Sequence, residues 1–170
     1  LIGTVLRRSE LLGLRWSDVD SENSTVVVTG KVVRVKGVGL VRVDETKTAA
    51  GARTLPLPRF VMDMLKRRAE DPHPSNDGVI FPSTTGTLRD PNNFGKQWRK
   101  VRDELGAADV TTHSFRKSVA TLIDDEGLSA RVGADQLGHR NVSMTQDRYF
   151  GRGRVHTAVA DLLDRAINDE

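Results

Sequence analysis

TVVVTGKVVRVKGVGLVRVDETKT, residues 25–48, decides between an all-helical chain and a mixed one. β-Branched residues crowd it; they are stiff at χ1 and sit well on a pleated surface. Glycines at 30, 37 and 39 interrupt the run. The pattern predicts a strand or a hairpin pair. GARTLPLP, residues 51–58, predicts a third strand that closes a small antiparallel sheet.

Outside that region the periods are helical. Ile2, Leu6, Leu11 and Leu14, with charges between them, predict a helix up to about Leu14, and WSDVDSENS (16–24) predicts a turn. Pro58 is placed to open a helix that reaches about Ala69. VIFPS (79–83) reads as a short strand and TTGTLRD (84–90) as a turn. Helices follow over about 92–105, 113–126 and 129–137, ended by Gly106, Gly127 and Gly138. Another is expected over 143–150, where Ser143 and Gln146 have capping-box spacing. The last, over 154–167, carries Val155, Val159, Leu162, Leu163 and Ala166. The expected class is α+β and mostly helical, with a small three-stranded antiparallel sheet near the N-terminus packed on a helical bundle.

Composition bounds what such a chain does. At 170 residues, 37% hydrophobic and 29% charged, it has the balance of one ordinary globular domain. It contains no cysteine, which excludes disulfides and thiolate metal sites. No apolar run approaches the roughly 18 residues of a membrane span. The net charge of +3, with arginine far outnumbering lysine, suits phosphate oxygens better than a lysine-rich surface of equal charge. Residues 1–170 are read as a single domain, the C-terminal part of a longer protein.

Several side chains stand where chemistry is possible. In TTHSFRKS, His113 and Arg116 lie three apart at a helix start, hence on one face, beside free N–H groups suited to an anion. In VLRRSELLGLRWSDVD, Glu10 is spaced to hold the guanidinium of Arg7. Lys47 falls at the tip of the β-rich region, His139 just past the Gly138 helix stop, and Tyr149, the only tyrosine, on the next short helix. Taken singly, each has an ordinary explanation: an exposed ion pair, a solvated lysine, a capping histidine, a packed ring.

In this order, however, the set resembles the catalytic domain of the tyrosine recombinases, the phage integrase family. The likeness spans nearly the whole chain: Arg7 three residues before Glu10 and ahead of LRWSD, then Lys47, the His113–Arg116 pair, Gly-His at His139, and Tyr149. Two departures are visible. Val5 stands where the family commonly has glycine, and is expected to crowd the approach of DNA; HSFR replaces the more usual His-Asp-Leu-Arg.

The resemblance implies a site-specific recombinase that cleaves and rejoins double-stranded DNA through a 3′-phosphotyrosyl link, with no cofactor, metal or ATP. Arg7 and Arg116 would meet the non-bridging phosphate oxygens, helped by His113 and His139. Tyr149 would attack, His113 would take its proton, and Lys47 would protonate the leaving 5′-oxygen. Glu10 supports Arg7. Arg99, Lys100, Arg140 and Arg148 are candidates for further phosphate contacts. The implied setting is the cytoplasm of a bacterial or phage-infected host, at the nucleoid. A homotetramer on DNA is expected for the longer protein and a monomer for these residues alone, with the N-terminal DNA-clamping domain lying outside them. The alternatives are a type IB topoisomerase-like relaxing enzyme and a non-catalytic DNA-binding regulator on the same scaffold. A small-molecule enzyme has little support, since neither a glycine-rich phosphate loop nor metal-ligand spacing is present.

Overall fold

A computed structural model describes residues 3–44, 53–70, 75–139 and 142–143. The helices are α1 (Arg8–Gly13), α2 (Arg59–Ala69), α3 (Pro91–Glu104), α4 (Thr112–Asp125) and α5 (Ala130–Leu137), and the strands are β1 (Val19–Asp20), β2 (Thr25–Val28), β3 (Gly30–Val35), β4 (Gly39–Asp44) and β5 (Arg53–Pro56). The α+β class and the small antiparallel sheet are as expected. Of the helix anticipated over 143–150 only Ser143 is described, and it is helical; the rest of it and the helix over 154–167 lie outside the described residues.

The sheet is assembled differently from the simplest reading of residues 25–48. β2 pairs antiparallel with β1 on one side and with β5 on the other, so β5 does close a three-stranded sheet. Among the described residues, β3 and β4 pair only with each other. The two sheets part at Thr29, where the chain turns onto α1. Gly13 of α1 lies so close to β3 that a Cβ there would sit 2.9 Å from the Lys31 Cα. Arg42 locks the hairpin in place. Its Nε donates to the Gly13 carbonyl at 2.7 Å and its guanidinium lies 3.6 Å from the Asp18 carboxylate, both side chains being buried. Such tertiary contacts leave no trace in strand periodicity.

One core explains the arrangement. Val26 and Val28 alternate inward along β2, and Leu55 does so on β5. Leu6, Leu14, Leu57, Val61, Met62, Leu65 and Ile80 complete the cluster, so α2 covers the sheet. Residues 79–83 form no full strand: Val79 makes a single bridge to Arg15, while Ile80 N donates to the Leu14 carbonyl at 2.8 Å. The first helix is also shorter than expected, beginning at Arg8. Val5 explains this, because its φ of +47° cannot belong to a right-handed helix.

α4 packs on α5, while α3 touches α1 and meets α4 through one ring pair. Asp90 caps α3, accepting from Asn92 N at 2.8 Å. The Trp98 ring of α3 meets Phe115 of α4 at 5.4 Å between centroids, and its Nε1 donates to the Val110 carbonyl at 3.0 Å. These contacts fix where α4 begins. No helix among the described residues is long and apolar enough to cross a membrane.

Candidate active site

Arg7 occupies the N-cap position of α1, and Glu10 sits in the first turn. Glu10 accepts from the Arg7 main-chain N at 2.8 Å and from Arg7 Nη1 at 2.7 Å. An exposed pair of this spacing contributes about half a kcal/mol or less, but Glu10 is 1% exposed. Its carboxylate therefore grips both the backbone and the guanidinium of Arg7, whose side chain remains 46% exposed. A second arginine reaches the same carboxylate: Arg53 Nη2 on β5 donates to Glu10 Oε2 at 2.9 Å. Burial alone would raise the Glu10 carboxyl. The Arg53 hydrogen bond and charge, with hydrogen bonds from the Arg7 backbone and side chain, hold it below the usual range.

α4 supplies the next group. Thr111 Oγ1 accepts from Ser114 N at 3.1 Å, while Ser114 Oγ accepts from Thr111 N at 2.9 Å. This reciprocal cap starts the helix at Thr112 and puts exposed His113 one turn before buried Arg116. The Arg116 fork points inward. Nη1 donates to the Val5 carbonyl, and Nη2 donates to the Leu137 carbonyl at 2.6 Å. Nη2 also lies 3.2 Å from His139 Nε2. A guanidinium cannot accept, so Nε2 must be the acceptor and Nδ1 carries the proton.

His139 follows the left-handed cap of α5. Gly138 has φ +64°, and the His139 main-chain N donates to the Ala134 carbonyl at 2.9 Å. The imidazole pKa is pushed down to about 4, first by burial and then by the charges of Arg116, Arg7, Arg53 and His113. At neutral pH the ring is therefore neutral, as the Arg116 contact requires.

Arg7 Nη2 donates to the Gly138 carbonyl at 3.0 Å, and Arg116 donates to the carbonyl of Leu137 immediately before it. Arg7, Arg116 and His139, from three distant parts of the chain, thus meet around one turn. Two cations beside a neutral imidazole make an anion-attracting surface. Arg99 and Lys100 are exposed on α3, with Lys100 Nζ 3.9 Å from Glu104. Lys47, Arg140, Arg148 and Tyr149 lie outside the described residues. Among the described residues, no group of three His, Asp or Glu is placed to hold a metal ion.

Two features were not visible in the sequence. Arg53 gave no local signal, because its partner Glu10 is far away in the chain. Val5 also departs from expectation: it does not crowd an open surface but is 1% exposed, packed with Ala120 and Leu137. The left-handed backbone accounts for the glycine usual in the family, since a β-branched residue there is strained by about 1–2 kcal/mol. Elsewhere in a fold alanine is more stable than glycine by about 0.5–1 kcal/mol. Here the order should reverse, with Val5→Gly more stable than Val5→Ala by about 1 kcal/mol in urea unfolding. A more stable alanine variant would mean that the backbone is not held left-handed.

The family model described as "Phage integrase family" matches residues 1–152. A tyrosine recombinase XerC-like protein of Caldanaerobacter subterraneus subsp. tengcongensis is 31% identical over 86% of this chain and 42% of its own length. The integrase of Staphylococcus phage L54a is 26% identical over 98% of this chain and 48% of its own. The chain thus spans less than half the length of these relatives. Among solved structures, the Tn1549 transposon integrase in complex with circular intermediate DNA superposes with a TM-score of 0.83 at 25% identity, covering 96% of this chain and 57% of that one. XerA recombinase shares the fold, at a TM-score of 0.69 and 21% identity over 97% of this chain and 55% of its own. Match and fold agree: this chain belongs to the phage integrase family of tyrosine recombinases.

Proposed function

We propose that these residues are the catalytic domain of a site-specific DNA recombinase, which breaks and rejoins duplex DNA through a covalent 3′-phosphotyrosyl intermediate at Tyr149. The observation that carries this reading is the meeting of Arg7, Arg116 and His139 at the Leu137–Gly138 turn. A phosphodiester already bears negative charge, and attack concentrates more of it on the non-bridging oxygens. Fixed cations that need no reorganisation answer that demand.

Exposed Arg7 is the side chain that meets the phosphate directly, oriented from behind by Glu10. Arg116 sets positive charge beneath the site and holds His139, whose ring faces the same region. His113, exposed at the α4 start, takes the phenol proton. Lys47 protonates the leaving 5′-oxygen. The bond energy kept in the phosphotyrosyl link lets a 5′-hydroxyl from another strand reverse the step, so neither ATP nor metal is consumed. Duplex DNA is the partner, with Arg99, Lys100, Arg140 and Arg148 adding salt-sensitive backbone contacts. The working assembly is a homotetramer on DNA, with a DNA-clamping domain contributed by the rest of the protein, while the 170 residues alone are monomeric.

The test is to incubate the full natural protein with a nicked duplex carrying its core site, so that cleavage releases a short strand and cannot be reversed. A denaturation-resistant protein–DNA adduct should accumulate with chelator present, and the DNA-bearing peptide should contain Tyr149. Tight DNA binding with no adduct would favour a regulator. Adduct formation with relaxation of supercoils but no exchange between two duplexes would favour a relaxing enzyme.

A further inference from the structure

Arg53 enters none of the roles above, yet it sits at the centre of the site's supporting structure. Its side chain is only 10% exposed, and its guanidinium lies 2.9 Å from the Glu10 carboxylate. The same guanidinium covers Gly138 so closely that a Cβ there would fall 2.5 Å from Arg53 Cζ. Glu10 holds Arg7, and Arg7 donates to the Gly138 carbonyl. The contacts therefore close a ring, from Arg53 to Glu10 to Arg7 to Gly138 and back to Arg53. It joins β5, α1 and the end of α5. Arg53 also begins β5 just after the segment that carries Lys47.

Stability alone is a poor reason for this arginine. Its Nε is buried with no hydrogen-bond partner among the described residues, and an unpaired buried donor is a cost. A buried ion pair is often no more stabilising than apolar side chains of similar volume. What an apolar side chain cannot do is add a charged donor to the Glu10 carboxylate that grips Arg7 while covering the face of Gly138. Gly138 in turn determines where His139 stands, and Arg53 is among the cations that depress its pKa.

We propose that Arg53 is a positioning residue of the strand-cleavage site: from β5 it clamps Glu10 and Gly138 together, so that Arg7 and His139 face the phosphate in one fixed arrangement. This rests on the recombinase reading above. Displacing catalytic groups by about 1 Å costs on the order of a hundredfold in rate.

The test uses the full natural protein carrying Arg53→Met or Arg53→Lys. DNA affinity is read by anisotropy, single-turnover adduct formation is read at saturating nicked DNA, and folding is read by thermal unfolding. Arg53→Met should stay folded and bind DNA within about threefold of wild type. Its adduct should form about thirty- to a hundredfold more slowly. A methionine variant that cleaves at the wild-type rate overturns the proposal. Where methionine fails to fold, the lysine variant is judged by the same two criteria, and failure of both to fold makes Arg53 structural and also overturns it. A wild-type protein that makes no adduct refutes the recombinase reading instead, so the two failures are distinguishable.

Discussion

Tyr149→Phe is expected to abolish the covalent adduct while leaving DNA binding intact. The phenol is the only one among these 170 residues, so no other tyrosine within them can substitute for it. In solution its pKa of about 10 leaves it almost wholly neutral at pH 7. It therefore becomes nucleophilic only where cations favour the phenolate or a base removes the proton during attack. In the mechanism proposed above, Arg7 and Arg116 supply the charges and exposed His113 the base. Loss of a nucleophile in a preorganised site costs up to about 10⁶ in rate. Adduct should then fall below detection, at least on the order of 10⁴-fold. Affinity for the core site should move less than about threefold, because phosphate contacts and not the nucleophile dominate binding. Equal adduct yields from the phenylalanine variant and the wild type would remove Tyr149 from the mechanism. Adduct in the wild type at a different residue would do the same.

Local signals located α4 and α5 well. Thr111 and Ser114 cap one helix and Gly138 stops the other, and both features are written within a few residues of where they act. The spacing of His113 to Arg116 and of Arg7 to Glu10 was legible for the same reason. What spacing could not reveal was direction. Arg116 reads as a phosphate fork, yet its guanidinium is turned to the carbonyls of Val5 and Leu137. The β3–β4 hairpin leaves the sheet because Gly13 and Arg42 draw it onto α1, a contact with no sequence period. Arg53 was missed for a related reason. A strand arginine is normally solvated, and only the closed fold reveals Glu10 beneath it. Family resemblance nominated the reacting groups, whereas the residues that brace Arg7 and His139 are tertiary facts.

That inward orientation changes what removal of Arg116 should do. A surface arginine would be lost with little effect on folding, but Arg116 is 5% exposed and serves two buried carbonyls. Leaving each without a donor costs about 1–3 kcal/mol. Arg116→Ala should therefore destabilise the protein by about 2–6 kcal/mol, a sizeable part of a typical total of about 5–15 kcal/mol. Cleavage should fall further than instability explains, because one preorganised donor accounts for about 3–4 kcal/mol of barrier, or several hundredfold. Arg116→Lys separates the two effects. Lysine keeps the charge and can satisfy one carbonyl, so most of the stability should return, but it has no planar fork to span Val5, Leu137 and His139 together. Adduct formation should stay about a hundredfold slow, measured below the melting temperature and at saturating DNA. Recovery of stability and rate in parallel would mean that Arg116 acts only as a brace for the Leu137–Gly138 turn. Recovery of stability alone places its planar fork, beyond its charge, in the cleavage step itself.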